Sequence, residues 1–591
     1  MPARDPLAIV REYHEQTKHH FNRFARSLGY LDWATQPDPF RTFEGSRRID
    51  LIDVLRAAEK RDGPRHASWR DTAYDALFDP VPPDAPVAPG LAAVAIFLRF
   101  SLGLSAWKQA GPSRWALRVN PSSGNLHPTE GYVLCGQGVA GAEPGVYHYA
   151  PDAHALEERS RLDPAAWSAA CAGLPGGSFL AAISSIHWRE AWKYGERAFR
   201  YCQHDVGHAV AAMRMAAAMM GWSCAVVPGW SSSALAAILG TDRDADFEGA
   251  EREEPACLMA VVPGPAPEAA RASDLMARAA PLLVDAATRA TWSGRANRLS
   301  SDRAQWDWID AAAEASRDIG SADDGMALPN LVGRVQRAAT GDPSPGRPIS
   351  AAALVLQRRS AVSMDARTAM RLDRFVFLLR RLLPEAGPPF DAFPWTPRIH
   401  LALFVHRVEG LEPGLYALPR TAAGMGVLRG AFNQDFAWLR PPGVPDDLPF
   451  FLLDHADCGR IARQLSCGQD IAADGCFSLG MLAEFDAALG EGGPAAYRRL
   501  FWEAGAVGQA LYLEAEAAGL RGTGIGCYFD DGVHQLLGLG GGSETRSHGD
   551  VNPRLAGFGA GPLQSLYHFT VGGPVEDNRL TTQPGYSWES R

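Results

Sequence analysis

The sequence lacks any apolar run approaching the roughly 18 residues that a membrane span needs, and its opening MPARDPLAIVREYHEQTKHHFNRF carries charge throughout instead of the apolar stretch of a secretory signal. A cytoplasmic chain with no membrane partner is the expectation. Positive charge is not in excess either: the formal net charge is −10, so nothing attracts a phosphate backbone, and nucleic acid is not an expected partner. There is no CxxC pair. The nine cysteines are odd in number and scattered from Cys135 to Cys527, which argues against a disulfide framework or a zinc knuckle. Cys458, Cys467 and Cys476 recur every nine residues and read as half-buried thiols on helical segments. No GxSxG elbow, Walker A loop or dinucleotide fingerprint is present.

What is present is a globular composition, 46% hydrophobic and 21% charged over 591 residues, too long for one ordinary core. The stretch NPSSGNLHPTEG, residues 120–131, cannot pack as a regular element. Its prolines, serines and glycine form a tight loop that feeds the apolar run Tyr132-Val133-Leu134.

Two helical segments resemble each other. RYCQHDVGHAVAAMRMAAAMMGW begins at Arg200 and RRLFWEAGAVGQALYLEAEAAGL at Arg498. Superposing Asp205 on Glu503 places Gly207 on Gly505, Gly221 on Gly519 and Gly240 on Gly538, a constant offset of 298. Both segments have apolar residues at helical spacing, many alanines and a terminating glycine. After each comes a short apolar run and then a short helix, opened by Ser231 to Ser233 in one case and by Asp530-Asp531 in the other. PGVYHY from Pro144 is echoed by PGLYAL from Pro413. The reading is two α+β sandwich domains, 1–264 and 351–591, joined by a connector, 265–350. That connector has Ala-rich helices near 266–291 and 302–316 and then a Gly, Asp and Pro-rich stretch through GDPSPGRP. A duplicated fold of this kind implies an intrachain pseudo-dimer with sites between the halves.

Five motifs stand out: Pro121-Ser122-Ser123-Gly124-Asn125-Leu126-His127-Pro128, Lys193-Tyr194-Gly195-Glu196-Arg197, Arg358-Arg359-Ser360, Gly522-Thr523-Gly524-Ile525-Gly526 and the tail YHFTVGGPVEDNRLTT. Together they resemble the nitroreductase-like flavoproteins, and within them the SagB-type (ThcOx-like) dehydrogenases. The resemblance implies an antiparallel sheet flanked by helices, dimerised through a long central helix, with FMN at the interface. By the same resemblance Pro121, Ser122, Ser123 and Asn125 face a flavin edge. Arg358, Arg359 and Ser360 hold the phosphate, with a helix N-terminus behind Ser360. The backbone of Gly524, Ile525 and Gly526 approaches the ring, and Arg579 supplies a late cation. The family's usual cation at the pyrimidine edge is replaced here by Val362.

Only one such site is complete in the sequence. The first half keeps PSSGN, while its Arg47-Arg48 lacks the Arg-Arg-Ser pattern; the second half keeps Arg358-Arg359-Ser360 and GTGIG, yet no serine lies between Pro384 and Arg398. One FMN per chain is expected, with the other pocket empty or structural. In SagB-type azoline dehydrogenases a matching Lys-Tyr pair is associated with catalysis, which makes Lys193 and Tyr194 the acid/base candidates. Lys193 could act as a base only if burial or a nearby cation lowered its pKa. The plain alternative is a solvated helix face, with Lys193, Arg197 and Arg200 partnered by Glu190 and Glu196. His204 and His208 lie four apart but lack a third ligand, so no metal is expected. Three activities follow as readings. The first is an FMN-dependent dehydrogenase acting on a heterocycle in a peptide or natural product; the second is a nitro or quinone reductase fed by NAD(P)H; the third is a flavin-free binding scaffold.

Overall fold

In the computed structural model, the described residues are 4–62, 68–78, 86–136, 139, 141–320, 349–539 and 561–590. The GDPSPGRP part of the connector lies outside them. The elements that build the site are, in chain order, strands β1 Leu104–Ala110, β2 Ser113–Arg118, β3 Thr129–Cys135, β4 Gly145–Ala150, β5 Ala155–Arg161 and β6 Phe179–Ser185, followed by helices α1 His187–Tyr194 and α2 Ala198–Met219. Then come β7 Trp222–Val226, α3 Ser232–Leu239, β8 Glu254–Pro263 and α4 Ala351–Gln357. The rest are β9 Ile399–Val405, β10 Gly414–Leu418, β11 Phe451–His455, β12 Phe477–Ala483, α5 Ala496–Ala517, β13 Arg521–Ile525, α6 Asp530–Leu537, β14 Gln564–Gly572 and β15 Thr581–Pro584. The Ala-rich connector helices occupy Ala266–Arg289 and Asp307–Ala315, close to their expected positions.

These elements form an α+β structure whose two main sheets share a strand order. One runs β4-β3-β6-β8-β7, with β5 beside β4; the other runs β10-β9-β12-β14-β13, with β11 beside β10. All of these pairings are antiparallel. The helical register seen in the sequence persists, since both ends of α2 and α5, and of α3 and α6, differ by the same 298 residues. Gly240 and Gly538 both end their short helices in the left-handed conformation, φ 68° and 77°, where glycine has no steric penalty. Ser231 caps α3 by accepting the Ala234 N–H at 3.1 Å. Asp530 does not cap α6, because its carboxylate is taken by Arg197 and Arg200 at 2.9 and 2.8 Å. Among the described residues, no helix is long and apolar enough to cross a membrane.

The halves are joined by more than helix packing. β15, near the chain's end, pairs with β1, which pairs with β2, so a strand that follows the second sheet completes a small sheet belonging to the first half. Beneath the loop 120–128 lies a buried ionic network. His148 bridges Glu157 at 3.0 Å and Glu130 at 3.1 Å, and Glu130 also pairs with Arg189, which holds the His127 carbonyl at 2.6 Å. Burial alone would lower the His148 pKa, but the two carboxylates outweigh it and hold it up, to about 9.

A raised histidine pKa makes the charged form part of the fold. The stabilisation is complete below the unfolded value near 6.5 and is lost as pH rises through about 9. In denaturant melts, His148→Gln is therefore expected to cost most at pH 6, on the order of 3 kcal/mol, with the gap from wild type closing towards pH 10. A gap independent of pH would refute the charged bridge.

Candidate functional site

The loop before β3 is held by its own polar groups. Gly124, Asn125 and His127 have φ of 59°, 61° and 53°, a turn with three left-handed residues secured where Ser122 Oγ accepts the His127 N–H at 2.8 Å and Asn125 Nδ2 donates to the Ala116 carbonyl of β2 at 2.9 Å. Ser123 donates its N–H to Asp205 of α2 at 3.2 Å, and its hydroxyl lies 3.3 Å from the same carboxylate. Ser122 Oγ lies 3.4 Å from Glu190 of α1. The two serines thus engage two buried carboxylates, Glu190 and Asp205, that the motifs alone did not bring forward.

Burial raises the Asp205 pKa to about 7 against the pull of the serine hydrogen bonds. The Glu190 pKa goes well above the carboxylate range, through burial first and the Asp205 charge second. Two neighbouring carboxyl groups in a dry setting do not both ionise, so the pair retains a proton at neutral pH. Lys193 and Tyr194 border this pair. A Cβ placed on Gly124 would sit 2.7 Å from the Tyr194 hydroxyl and 3.2 Å from Lys193 Nζ, so loop and Lys-Tyr segment meet. Lys193, however, is exposed at the rim, so burial, one of the two conditions set for a base role, is not met. Burial and the Glu190 charge push the Tyr194 phenol well above its ordinary pKa, which keeps it a donor. The solvated helix face is not observed for the other cations: Arg197 and Arg200 are buried and share Asp530. His204 stacks on Tyr567 at 4.1 Å between ring centres, and His208 Nε2 meets the Tyr567 hydroxyl at 3.2 Å, so both are core histidines.

The second half contributes α4, the residues after it, and β13. Arg358 is the C-cap of α4, so the Arg-Arg-Ser run follows a helix C-terminus, not the helix N-terminus expected behind Ser360. Arg358 donates to the Arg118 carbonyl at 3.2 Å, Arg359 reaches Ser105 at 3.3 Å, and Ser360 bridges to Gly522 of β13. Since Asn125 and Arg358 both bind carbonyls of β2, the serine loop and Arg358 meet on one strand. Positive charge is crowded here. The pKa of Arg359 is lowered to about 10 by burial, Arg358 and Arg521, and that of Lys108 is lowered by burial, then by Arg359 and Arg521. Burial also lowers Arg358, whose buried Nε has no hydrogen-bond partner. Such a set, only partly offset by Glu516 and Glu576, suits a bound anion.

Two expectations need correction. Arg579 lies apart from this cluster in its interactions: its side chain is 88% exposed and pairs with Asp577 in its own loop at 2.8 Å. Lys108 and Arg521 belong to the cluster instead, with Arg521 paired to Glu576 at 2.8 Å. The backbone around Gly524 and Gly526 is closely packed, since the Gly524 N–H donates to the Tyr512 hydroxyl at 3.0 Å. A Cβ on Gly524 would lie 1.9 Å from the Tyr567 hydroxyl, and one on Gly526 would lie 1.8 Å from Tyr201. The glycines admit tyrosines, which wall the site together with Tyr194, 4.4 Å from Tyr201 between ring centres. Val362 is 86% exposed and presents no replacement cation.

The place related by the 298 offset is different. Arg214 of α2, the counterpart of Tyr512, binds Asp391 through two hydrogen bonds of 2.9 and 2.7 Å, both side chains buried. Close by, a cavity of about 40 Å³ is lined by Trp230, Trp395, Trp502, Arg498 and Arg499 among others. Arg498 pairs with Glu254 at 3.2 Å and Arg499 with Asp318 at 2.6 Å. Internal ion pairs neutralise the cations on this side.

With this geometry in place, the chain's likenesses fall into order. The fold is that of the nitroreductases. A crystal structure from Anabaena variabilis ATCC 29413, provisionally named a nitroreductase, superposes with a TM-score of 0.65 at 19% identity, covering 96% of this chain and 99% of that one. Residues 108–261 match the nitroreductase family. Over 109 residues the chain is 37% identical to the trifolitoxin-processing protein TfxB of Rhizobium leguminosarum bv. trifolii, a match covering 17% of this chain and 29% of that protein. The chain therefore spans less than a third of the length of that curated relative.

The buried Arg214–Asp391 pair provides a test of the closed side. Arg214→Met leaves a buried carboxylate alone and should cost about 3 to 5 kcal/mol, whereas Arg214→Met with Asp391→Leu should recover most of it. Equal destabilisation of single and double variants in urea titrations would show that the pair does not fill this place.

Proposed function

We propose that this chain is a flavin-dependent oxidoreductase of nitroreductase type, with one FMN bound between residues 120–125 on one side and residues 358–360 and 522–526 on the other, and with NAD(P)H as electron source for a small nitro or quinone acceptor. The observation that carries the reading is that the nitroreductase-matching segment, 108–261, contains the carboxylate pair and the serine loop, and that the loop shares strand β2 with Arg358. In this reading the two topologically matched sheets descend from one duplicated unit, with domains 1–264 and 351–591 forming a pseudo-dimer around a single working site.

The residues present suit such a group. Arg358, Arg359, Ser360, Lys108 and Arg521 would hold the phosphate, and Tyr194, Tyr201 and Tyr567 would border the ring, with Pro121, Ser122, Ser123 and Asn125 on its edge. FMN supplies hydride acceptance and donation when bound. The chain's own part is proton management. Asp205 and Glu190 hold one proton between them, Tyr194 passes it between the pair and the substrate, and Lys193 at the rim binds and orients the incoming molecule.

A second reading, oxidation of an azoline-like ring in a peptide substrate, is supported by the 37% identity to a toxin-processing protein. The two readings use the carboxyl pair in opposite protonation states. Reduction of an acceptor needs the protonated form, so turnover should fall as pH rises through about 7, the value for Asp205; dehydrogenation needs the ionised form, and turnover should fall as pH drops through it. Asp205→Asn should keep its flavin, lose that inflection, and slow by roughly 10²- to 10⁴-fold. Purified protein is expected to carry one FMN per chain and to bleach with NAD(P)H in the absence of oxygen. Colourless protein that takes up no FMN would leave the binding-scaffold reading in its place, and an unchanged rate in Asp205→Asn would remove the carboxylates from the chemistry.

A further inference from the structure

Immediately after the glycine-rich strand β13, the chain presents Cys527, and opposite it stands Cys467. Two hydrogen bonds hold these segments together: the Phe529 N–H donates to the Leu465 carbonyl at 2.8 Å, and Gln469 Nε2 donates to the Cys527 carbonyl at 3.1 Å. Cys467 follows the helix Gly459–Leu465 and lies in the left-handed region, φ 55°, a conformation a non-glycine residue adopts only when its surroundings impose it. Both thiols are half-buried, unlike Cys135, Cys202, Cys224, Cys257, Cys458 and Cys476, which are buried. They lie within hydrogen-bonding reach of one another. The third member is His19, whose ring is fixed where Nδ1 accepts the Ala25 N–H at 3.0 Å and which also meets the Cys527 thiol.

The charges around the pair differ by residue. The Cys467 hydrogen bond, against burial, pulls the Cys527 thiol down to about 5, aided by His19 and the Arg197 cation. Its partner's pKa is raised by that same hydrogen bond and by burial. One thiolate beside one protonated thiol is the arrangement that thiol–disulfide exchange requires. A metal site does not fit these residues. Among the described residues, the His/Cys/Asp/Glu group with ligand atoms all within 4.8 Å of one another is Glu15, His20 and Asp531, and there the Lys18 ammonium already sits 2.8 Å from Glu15 and 3.3 Å from Asp531.

We propose that Cys467 and Cys527 form a redox-active dithiol that closes to a disulfide by exchange with a small-molecule disulfide of the glutathione type. The Cys527 thiolate attacks one sulfur of that disulfide, forming a mixed disulfide and expelling one thiolate. Cys467 then gives up its proton, and its sulfur attacks Cys527, expelling the second thiolate, which takes up the proton. Two protein thiols lose two electrons in total, and the small disulfide gains them. The step is independent of the flavin reading, since it involves neither the carboxylate pair nor the cation cluster.

The test uses the full-length protein, equilibrated with oxidised glutathione, alkylated with iodoacetamide and mapped by mass spectrometry. Two of the nine thiols should become resistant to alkylation, and the 467 and 527 peptides should appear joined. Cys467→Ser should trap glutathione on Cys527, while Cys527→Ser should leave Cys467 free. Before oxidation, the alkylation rate of Cys527 should already be at its plateau at pH 7, and His19→Gln should move its midpoint upward. Nine alkylated cysteines after oxidation, or glutathione captured elsewhere while Cys527 stays free in Cys467→Ser, would overturn the proposal.

Discussion

The structure depends on two glycines that let two long helices touch. A Cβ on Gly207 would lie 2.2 Å from the Trp502 carbonyl oxygen, and one on Gly505 would lie 2.2 Å from the His204 carbonyl oxygen and 2.9 Å from Gly207 Cα. Neither contact can be relieved by rotating a flexible side chain, because the obstructing atoms are backbone. Any larger residue at the crossing would force α2 and α5 apart, and with them the groups they carry: Tyr201 and Asp205 on one, Tyr512 on the other. The Gln203 carbonyl oxygen of the side chain, which accepts from Trp502 Nε1 at 2.8 Å, adds direction to a contact that is otherwise close packing. The candidate site is assembled by this crossing, because neither half holds both the serine loop and the arginines.

The crossing sets Gly207 against Gly505, positions 298 residues apart, and the side chains on its two sides differ. On one side of it, Glu190 and Asp205 sit in low dielectric beside hydroxyls and tyrosines, and the cation acting on Glu190, Lys193, is exposed. On the other, Arg214 and Asp391 answer each other with two hydrogen bonds, and Arg498 and Arg499 have their own carboxylates. A buried ion pair that is fully matched contributes little net stability and no reactivity. A buried carboxyl pair without a matched cation holds a proton that it can release near neutral pH. The asymmetry is therefore electrostatic more than topological, which is why a common strand order coexists with one candidate site.

Much of this was legible from residue order. The 298-residue register, the long Ala-rich helices, the Ser231 cap and the tight serine loop follow from periodicity and turn chemistry, which are local properties. What escaped was held in contacts between distant segments. Asp205 is the one acidic residue of the Ala-rich α2, and a carboxylate in that helix was the available sign that something polar had to meet it; its partners, Ser123 and Glu190, are fixed only by the fold. Lys108 and Arg521 join the arginines because Arg359 reaches Ser105 of β1 and Ser360 bridges Gly522 of β13, connections that strand propensity does not reveal. Arg579 was misplaced for the converse reason. Its neighbour two residues earlier, Asp577, satisfies it locally and leaves it in solvent.

Asp530 shows how one local rule yields to a longer-range demand. An aspartate at the start of a short helix is a natural cap, worth about 1 kcal/mol. Here it is buried instead between Arg197 and Arg200 and accepts the His19 N–H at 3.0 Å, and those charges hold its carboxyl well below the ordinary range despite burial. Losing that carboxylate would leave two buried guanidinium groups without their counter-ion, a larger penalty than losing a cap. The N-terminal segment, the head of α2 and the head of α6 are consequently tied at a single anion. That anion also fixes the residues on either side of it: Arg197 reaches the Gly526 carbonyl at 3.2 Å, and His19 meets the Cys527 thiol. Position along the chain made Asp530 a cap; the charges folded around it made it the anchor for the floor of the site.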